Sequence, residues 1–313
     1  MPRSLRFVLG AAFLLVATPF FLAACDGGDV ASDVDSLLID ARIARQSGDI
    51  DTAIALLETA MAQAPSNAPV RVELSSAYLD RGGIDLLDVD RVALFLTTFE
   101  ENLVETPDAP VQNFGGTCQY ADDPNTQPFA PDEYEGYVEL YADRDLINSV
   151  LGLLNGVDPT GIGLSIIPEE LRVISLCQGI VDGQLIYDRD SALASMSALG
   201  LSDDEITTAL AVNAVARFFE AYFFIAEDIP QQTSWYHVQS PSGDYVGVCA
   251  DDQDALRAQV EVAVADLGES ITSLDLRDHV LGGGTASQEL VQHVLDAYES
   301  IEGDLGPYCE GGE

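Results

Sequence analysis

The sequence predicts an all-α protein in which N-terminal helical hairpins pack on a C-terminal helical module, with one possible small β-hairpin at about 234–249. Three observations lead to this prediction. Apolar residues recur at helical spacing through 34–104 and through most of 132–313. Helix-start signals, such as the capping box of Ser202 and Glu205, precede several of these stretches. Strand-like alternation is confined to two short segments that flank Ser-Pro-Ser-Gly.

The first 24 residues have the features of a signal peptide. Arg3 and Arg6 precede a nearly unbroken apolar run over 7–22, which is too short for a spanning helix. The run ends in Leu-Ala-Ala-Cys25, which resembles the lipobox of bacterial lipoproteins. The resemblance implies cleavage before Cys25, acylation with chains such as palmitate, and a membrane anchor in the cell envelope, on the periplasmic or outer surface. An ordinary secretory signal with a chance cysteine, or an uncleaved anchor, is the alternative.

Residues 25–33 are small, polar and acidic, and this composition predicts a flexible tether. Acidic residues then continue along the whole chain. There are 53 Asp and Glu against 13 basic residues, all of them Arg, and the formal net charge is −40. A polyanion would be repelled, which excludes nucleic acid as a partner. The excess of acid and the absence of Lys indicate adaptation to high salt, although a GC-rich genome would also favour Arg.

Residues 34–67 contain small and turn-forming residues at regular positions. Gly48 is placed to make a turn, Ala53 and Ala60 to let two helices approach, Leu57 to fill the seam, and Pro65 to end the second helix. This pattern resembles the tetratricopeptide repeat, a 34-residue helix–turn–helix. The resemblance implies a protein-interaction fold; two unrelated helical hairpins are the alternative.

A second copy begins at residue 68, where Leu74, Ser75, Tyr78 and Gly82 match the first helix. A helix at about 90–104 completes it with altered spacing, so the repeats span 34–104. Because each repeat needs neighbours to bury its faces, the C-terminal module is expected to pack on them.

The resemblance also implies a partner-binding groove, since the first helix of each pair lines the concave side in this family. The expected groove residues are Leu38, Arg42, Arg45, Gln46, Val72, Ser76 and Leu79. Alternatively, the two arginines pair with acidic neighbours in sequence, namely Asp35, Asp40 and Asp49. The groove predicts a non-enzymatic adaptor for an envelope protein or peptide. The other hypothesis is a ligand-binding or transport-associated lipoprotein with a pocket in the C-terminal helical module, beneath an aromatic-rich helix.

Residues 105–131 contain several prolines and Gly115-Gly116, which predicts a loop that forms a boundary. The C-terminal module at 132–313 is expected to contain helices at about 133–155, 168–187, 202–227, 251–280 and 286–302. The helix at 202–227 carries Phe218, Phe219, Tyr222, Phe223 and Phe224, which indicates a central core helix. A partner-facing aromatic patch is the alternative for this helix.

Four cysteines remain beside Cys25, and an oxidising compartment favours two disulfides. A helix over 251–280 travels about 45 Å and a shorter one returns, so Cys309 can reach Cys249. Cys118 with Cys177 then follows by elimination. The sequence contains no motif of a catalytic, phosphate-binding or metal site, and we expect no catalytic residue, metal or cofactor.

Overall fold

The computed structural model of the chain describes residues 27–84, 111–116, 126–129, 143–156, 163–172, 180–181, 184–185, 187–224, 228–238, 245–250 and 252–282. The N-terminal part consists of α1 (Gly27–Gln46), α2 (Ile50–Gln63) and α3 (Ala68–Gly82). The predicted helical hairpins are therefore confirmed.

Local signals set the ends of these helices. Gly48 adopts a positive φ of 82° between α1 and α2, a conformation that glycine reaches without steric cost. Asp49 then caps α2 by accepting a hydrogen bond from the Thr52 N–H, and Asn67 caps α3 in the same way. Ala53 and Ala60 are fully buried and Leu57 is 1% exposed, so the seam between the helices is packed as predicted.

The predicted tether is wrong for residues 27–33, because α1 begins at Gly27. The core-facing pattern of α1 continues to its N-terminal part, where Val34 is 1% exposed. A small, acidic composition therefore did not distinguish a tether from the start of a helix.

The C-terminal helices are α4 (Arg144–Asn155), α5 (Arg189–Ala198), α6 (Asp203–Phe223), the short α7 (Ile229–Gln232) and α8 (Gln253–Val280). The helix expected from about 133 begins at Arg144, since the Asp143 side chain accepts a hydrogen bond from the Asp145 N–H and caps it. The helix expected over 251–280 is confirmed as α8. The residues of the helices expected at 90–104 and 286–302 lie outside the described part.

The helix predicted over 168–187 is wrong. A 3₁₀ turn spans Glu169–Leu171, and β3 (Ile180–Val181) pairs antiparallel with β4 (Gln184–Leu185). The intervening sequence is Asp182-Gly183, a dipeptide that favours two-residue hairpins. The spacing of the apolar residues alone therefore did not distinguish a helix from short strands here.

Helix α6 is central to the core, as predicted. Its capping box is complete: the Ser202 N–H donates to Glu205 Oε2 at 2.9 Å and the Glu205 N–H donates to Ser202 Oγ at 3.4 Å. The side chains of Phe218, Phe219 and Phe223 are at most 1% exposed. Helix α8 packs along α6, while α4 and α3 cover other faces of α6, so one hydrophobic core joins the repeat to the C-terminal module.

The predicted β-hairpin is present as β5 (Thr233–Val238) and β6 (Tyr245–Ala250). It belongs to a larger sheet, however, with the order β1-β6-β5-β2. β1 (Val111–Gly116) runs parallel to β6, and β2 (Thr126–Phe129) runs antiparallel to β5.

The expected loop at 105–131 therefore contributes two strands, which is a correction to the prediction of a single hairpin. Both are edge strands of the sheet. An edge position tolerates Pro128 in β2, and the register of β1 is irregular between Gln112 and Gly116. Because these segments contain proline and glycine, their sequences did not show the residue pattern that predicts a strand.

The signal peptide with Cys25, and the residues Cys118, Cys177 and Cys309, lie outside the described part of the chain. Cys249 lies in β6, opposite Gly116 of β1. Both disulfide pairings stay predictions. Within the described residues, the structure contains no helix that combines the length and the apolar character needed to cross a membrane.

Candidate partner-binding surface

The structure separates the seven expected groove residues into three groups. Leu38, Val72 and Leu79 belong to the hydrophobic core, at 9%, 0% and 4% exposed. Leu38 packs in the cluster between α1 and α2, whereas Val72 and Leu79 pack against residues of α4 and α6. These three residues do not line an open groove, which corrects the expectation, because the C-terminal module occupies the face of α3 that would have formed it.

The side chains of Arg42 and Arg45 extend from α1 towards acidic residues of α3 and α6. Arg42 Nε lies 2.6 Å from Glu73 Oε1 on α3, and its Nη2 lies 2.7 Å from Glu205 Oε1 at the start of α6. Arg45 Nη1 contacts Glu73 Oε2 at 3.1 Å and its Nε pairs with Asp80. The arginines are paired, but with acids of α3 and α6 rather than with the acids near them in sequence.

Ser76 is also part of this network. It is 7% exposed, and its Oγ accepts a hydrogen bond from Arg45 Nη2 at 2.5 Å. Gln46 is exposed at the end of α1. Of the seven residues, the structure brings together Arg42, Arg45 and Ser76, and the contact they make is internal.

Protonation states follow from this geometry. Burial opposes the charge of Arg42, yet the hydrogen bonds and attraction of Glu205 and Glu73 leave its pKa raised. Burial likewise opposes ionisation of Glu205, but hydrogen bonds from Ser202 and Arg42 lower its pKa. Two guanidinium groups thus meet the three carboxylates of Glu73, Asp80 and Glu205. The cluster carries no excess positive charge that could attract an acidic peptide.

An apolar pair of α1 faces solvent instead. Ile39 is 56% and Ile43 is 59% exposed, one helical turn apart, and exposed Gln46 follows close to the same face. We refer to Ile39, Ile43 and Gln46 as the outer face of α1. Sequence reasoning missed the two isoleucines, although Leu37-Leu38-Ile39 gave a signal: three consecutive apolar residues exceed what one buried stripe of a helix covers.

The aromatic residues of α6 do not form a surface. Phe218 and Phe219 meet edge to face with centroids 6.3 Å apart, and Phe219 lies at the same distance from Phe223. Since these side chains are buried in the core, the alternative of a partner-facing aromatic patch is wrong. The alternative hypothesis of a ligand pocket beneath this helix relied on the same aromatic rings. Because the rings pack in the core, they no longer support that hypothesis.

The described residues contain no group of three or more His, Cys, Asp or Glu side chains placed to hold a metal ion.

Comparison with known proteins gives one match. The family model of the tetratricopeptide repeat matches residues 44–85, which run from the end of α1 through α2 and α3. No curated protein and no solved structure matches the chain.

Proposed function

We propose that the tetratricopeptide repeat at residues 44–85 makes this chain a non-enzymatic, protein-binding adaptor of the bacterial cell envelope, anchored through lipid on Cys25. Such repeats are protein-interaction modules, and this is the observation that carries the proposal. The envelope location and the anchor rest on the signal segment and lipobox of the sequence.

The outer face of α1 is the proposed docking surface. A repeat buries its faces by stacking against neighbours on both sides. On the α3 side the neighbours are α4 and α6 of the same chain. On the other side, the isoleucines Ile39 and Ile43 are exposed, where a terminal repeat would ordinarily present polar residues. We therefore expect a helix of the partner to stack on α1.

The arginine pair is a poor place to test this function. Arg42 and Arg45 hold α1 to α3 and α6, so reversing their charges would disturb the fold as well as any partner contact. The isoleucines have no such internal role. A charged residue at a solvent-exposed position ordinarily changes stability by less than about 0.5 kcal/mol.

The test compares the wild type, Ile39→Asp/Ile43→Asp and a matched control, Val262→Asp. Val262 lies on α8 and is 61% exposed, so it has nearly the same exposure as Ile43. Each full-length protein is used at molar salt to capture partners from a native envelope extract, and circular dichroism at 222 nm verifies folding. We expect one partner to be lost from the double variant alone. Retention of every partner by the folded double variant, or equal loss with Val262→Asp, would contradict the proposal.

A further inference from the structure

A row of polar side chains, two of them buried and three partly buried, lies between α6 and α8. Asn213, Arg217 and Glu220 lie on one face of α6, at the spacing of successive helical turns. Asp266 and Glu269 face them from α8. We refer to these five residues as the α6–α8 seam. Asn213 is fully buried and Glu269 is 4% exposed, whereas Arg217, Glu220 and Asp266 are partly buried, so the seam runs from the core between the two helices towards its edge.

Arg217 is the cation within the seam and is already engaged. Its Nη1 donates to Asp266 Oδ1 at 2.6 Å, and its Nε lies 3.2 Å from Glu269 Oε1. Glu269 Oε1 also accepts a hydrogen bond from Asn213 Nδ2 at 3.0 Å. Glu269 Oε1 therefore contacts both a cation and an amide donor.

Glu220 has no comparable support. Its Oε1 is buried without a hydrogen-bond partner among the described residues. The second nearby cation, Arg144 of α4, donates to both carboxylate oxygens of Asp228, at 3.1 and 3.2 Å. Among the described residues, two guanidinium groups thus serve the four carboxylates of Glu220, Asp228, Asp266 and Glu269. A buried carboxylate oxygen without a donor is costly, because water no longer solvates the charge.

We propose that protons complete this seam: Asp266 and Glu220 bind them as the pH falls, and the loss of the surplus negative charge holds α8 more firmly on α6. The contact between α6 and α8 within the C-terminal module is then stronger at acidic pH than at alkaline pH. The arrangement of charges carries the proposal, since among the described residues four carboxylates meet two guanidinium groups and the buried Oε1 of Glu220 has no hydrogen-bond donor.

The pKa directions agree with it. Burial raises the pKa of Asp266 to about 6, with Arg217 opposing the shift and Glu269 and Glu220 adding to it. Burial also raises the pKa of Glu220, opposed by Arg144 and Arg217 and reinforced by Asp228. Among the described residues, these are the charged groups that α4, α6, α8 and Asp228 direct at the two acids.

The sign of the pH effect follows. The ordinary pKa of Asp266 is 3.8, and folding raises it. Folding therefore favours the protonated form, so the stabilisation is complete at acidic pH and is lost as the pH rises through about 6. For Asp266 alone, the unfolding equilibrium constant should be about tenfold smaller at pH 5 than at pH 8.

The experiment is urea unfolding of the full chain at pH 5, 6, 7 and 8 in molar salt. The variants are Asp266→Asn and Glu220→Gln, with Glu261→Gln as the control, because Glu261 is exposed on the same helix. We expect the ratio of unfolding constants between pH 8 and pH 5 to be about tenfold lower for Asp266→Asn than for the control, and Glu220→Gln to lower it too. If both variants keep the pH dependence of the control, the proposal is overturned.

Hydrogen exchange of the wild type gives a local measurement that requires no variant. Between pH 8 and pH 5, after correction for intrinsic exchange rates, peptides from 267–278 of α8 should gain protection relative to peptides of α2, which has no part in the seam. Equal changes in both helices would show that acid acts on the chain as a whole, and would also overturn the proposal. Neither measurement depends on a partner, so failure here leaves the proposed adaptor function intact.

Discussion

Glu205 connects the repeat to the C-terminal module, and its replacement by Gln is a sharp test of that connection. Its Oε2 accepts hydrogen bonds from the Ser202 N–H and hydroxyl, both at 2.9 Å, while its Oε1 accepts from Arg42 Nη2 at 2.7 Å. Gln can keep the capping role but loses the charge that faces Arg42. Glu205→Gln therefore isolates the ion pair.

The expected change in the free energy of unfolding follows from the solvent exposure of the Arg42 and Glu205 side chains. The Arg42 side chain is 39% exposed and that of Glu205 is 14% exposed, so solvent screens the pair in part. We expect Glu205→Gln to lower the free energy of unfolding by about 0.5–1 kcal/mol, near the upper end for exposed pairs. Glu205→Ala should cost about 1 kcal/mol more, because the helix cap is lost as well.

The assay is a double-mutant cycle of Arg42→Gln and Glu205→Gln, measured by urea unfolding at low and at molar salt. The coupling energy should be about 0.5–1 kcal/mol at low salt and approach zero at molar salt. Because the folded-state pKa of Glu205 is lowered, this contribution is present above its ordinary pKa of 4.5 and is lost as the pH falls through the folded value. Asp203→Asn is the control, since Asp203 is an exposed acid in the same first turn.

A coupling energy of zero at low salt would refute the reasoning, as would equal effects of Glu205→Gln and Asp203→Asn. The first result would mean that Arg42 and Glu205 do not meet in solution. The second would mean that the carboxylate acts only on the dipole of α6. In either case the repeat would not be held on the C-terminal module by this contact.

Three further predictions concern the anchor, the cysteines and the salt. Cys25→Ser should abolish labelling with an alkynyl fatty acid, and equal labelling of this variant would rule out the lipid anchor. Non-reducing peptide mapping should find Cys249–Cys309 and Cys118–Cys177; because Cys118 follows two residues after Gly116, which lies opposite Cys249, a Cys118–Cys249 peptide is the result that would replace both pairs. The melting temperature should fall from molar salt to about 0.01 M, and further under reductant, and a constant value would show that the acidity does not serve salt tolerance.

The local elements of the fold could be predicted where a few neighbouring residues determine them. Gly48, Ala53, Leu57 and Ala60 gave the first hairpin because each acts within one helical turn or one helix–helix contact. The capping box at Ser202 likewise fixed the start of α6, since its two hydrogen bonds join residues only three positions apart.

The candidate site could not be predicted in the same way, because its contacts are long-range. Arg42 pairs with residues 31 and 163 positions away, and with 53 acids in the chain, spacing gives no means to choose between them. The strands β1 and β2 are short edge strands whose partners lie far along the sequence. The predicted groove was misplaced for the same reason. Helices α4 and α6 cover Val72 and Leu79, and the repeat pattern carries no information about where these two helices pack.

Salt acts on the ion pairs and on the net charge in opposite directions, and the number of charges that each effect involves favours the repulsion as the larger one. The ion pairs of Arg42, Arg45 and Arg189 are partly exposed, so each contributes about 0.2–1 kcal/mol, which salt removes. The formal net charge of −40 repels itself over a Debye length of about 30 Å at 0.01 M, but of only about 3 Å at 1 M. At low salt each surplus carboxylate therefore interacts with many others, whereas each ion pair involves a few groups. In a single salt titration the melting temperature should accordingly rise while the Arg42–Glu205 coupling falls, and these opposite trends separate the global repulsion from the local contact.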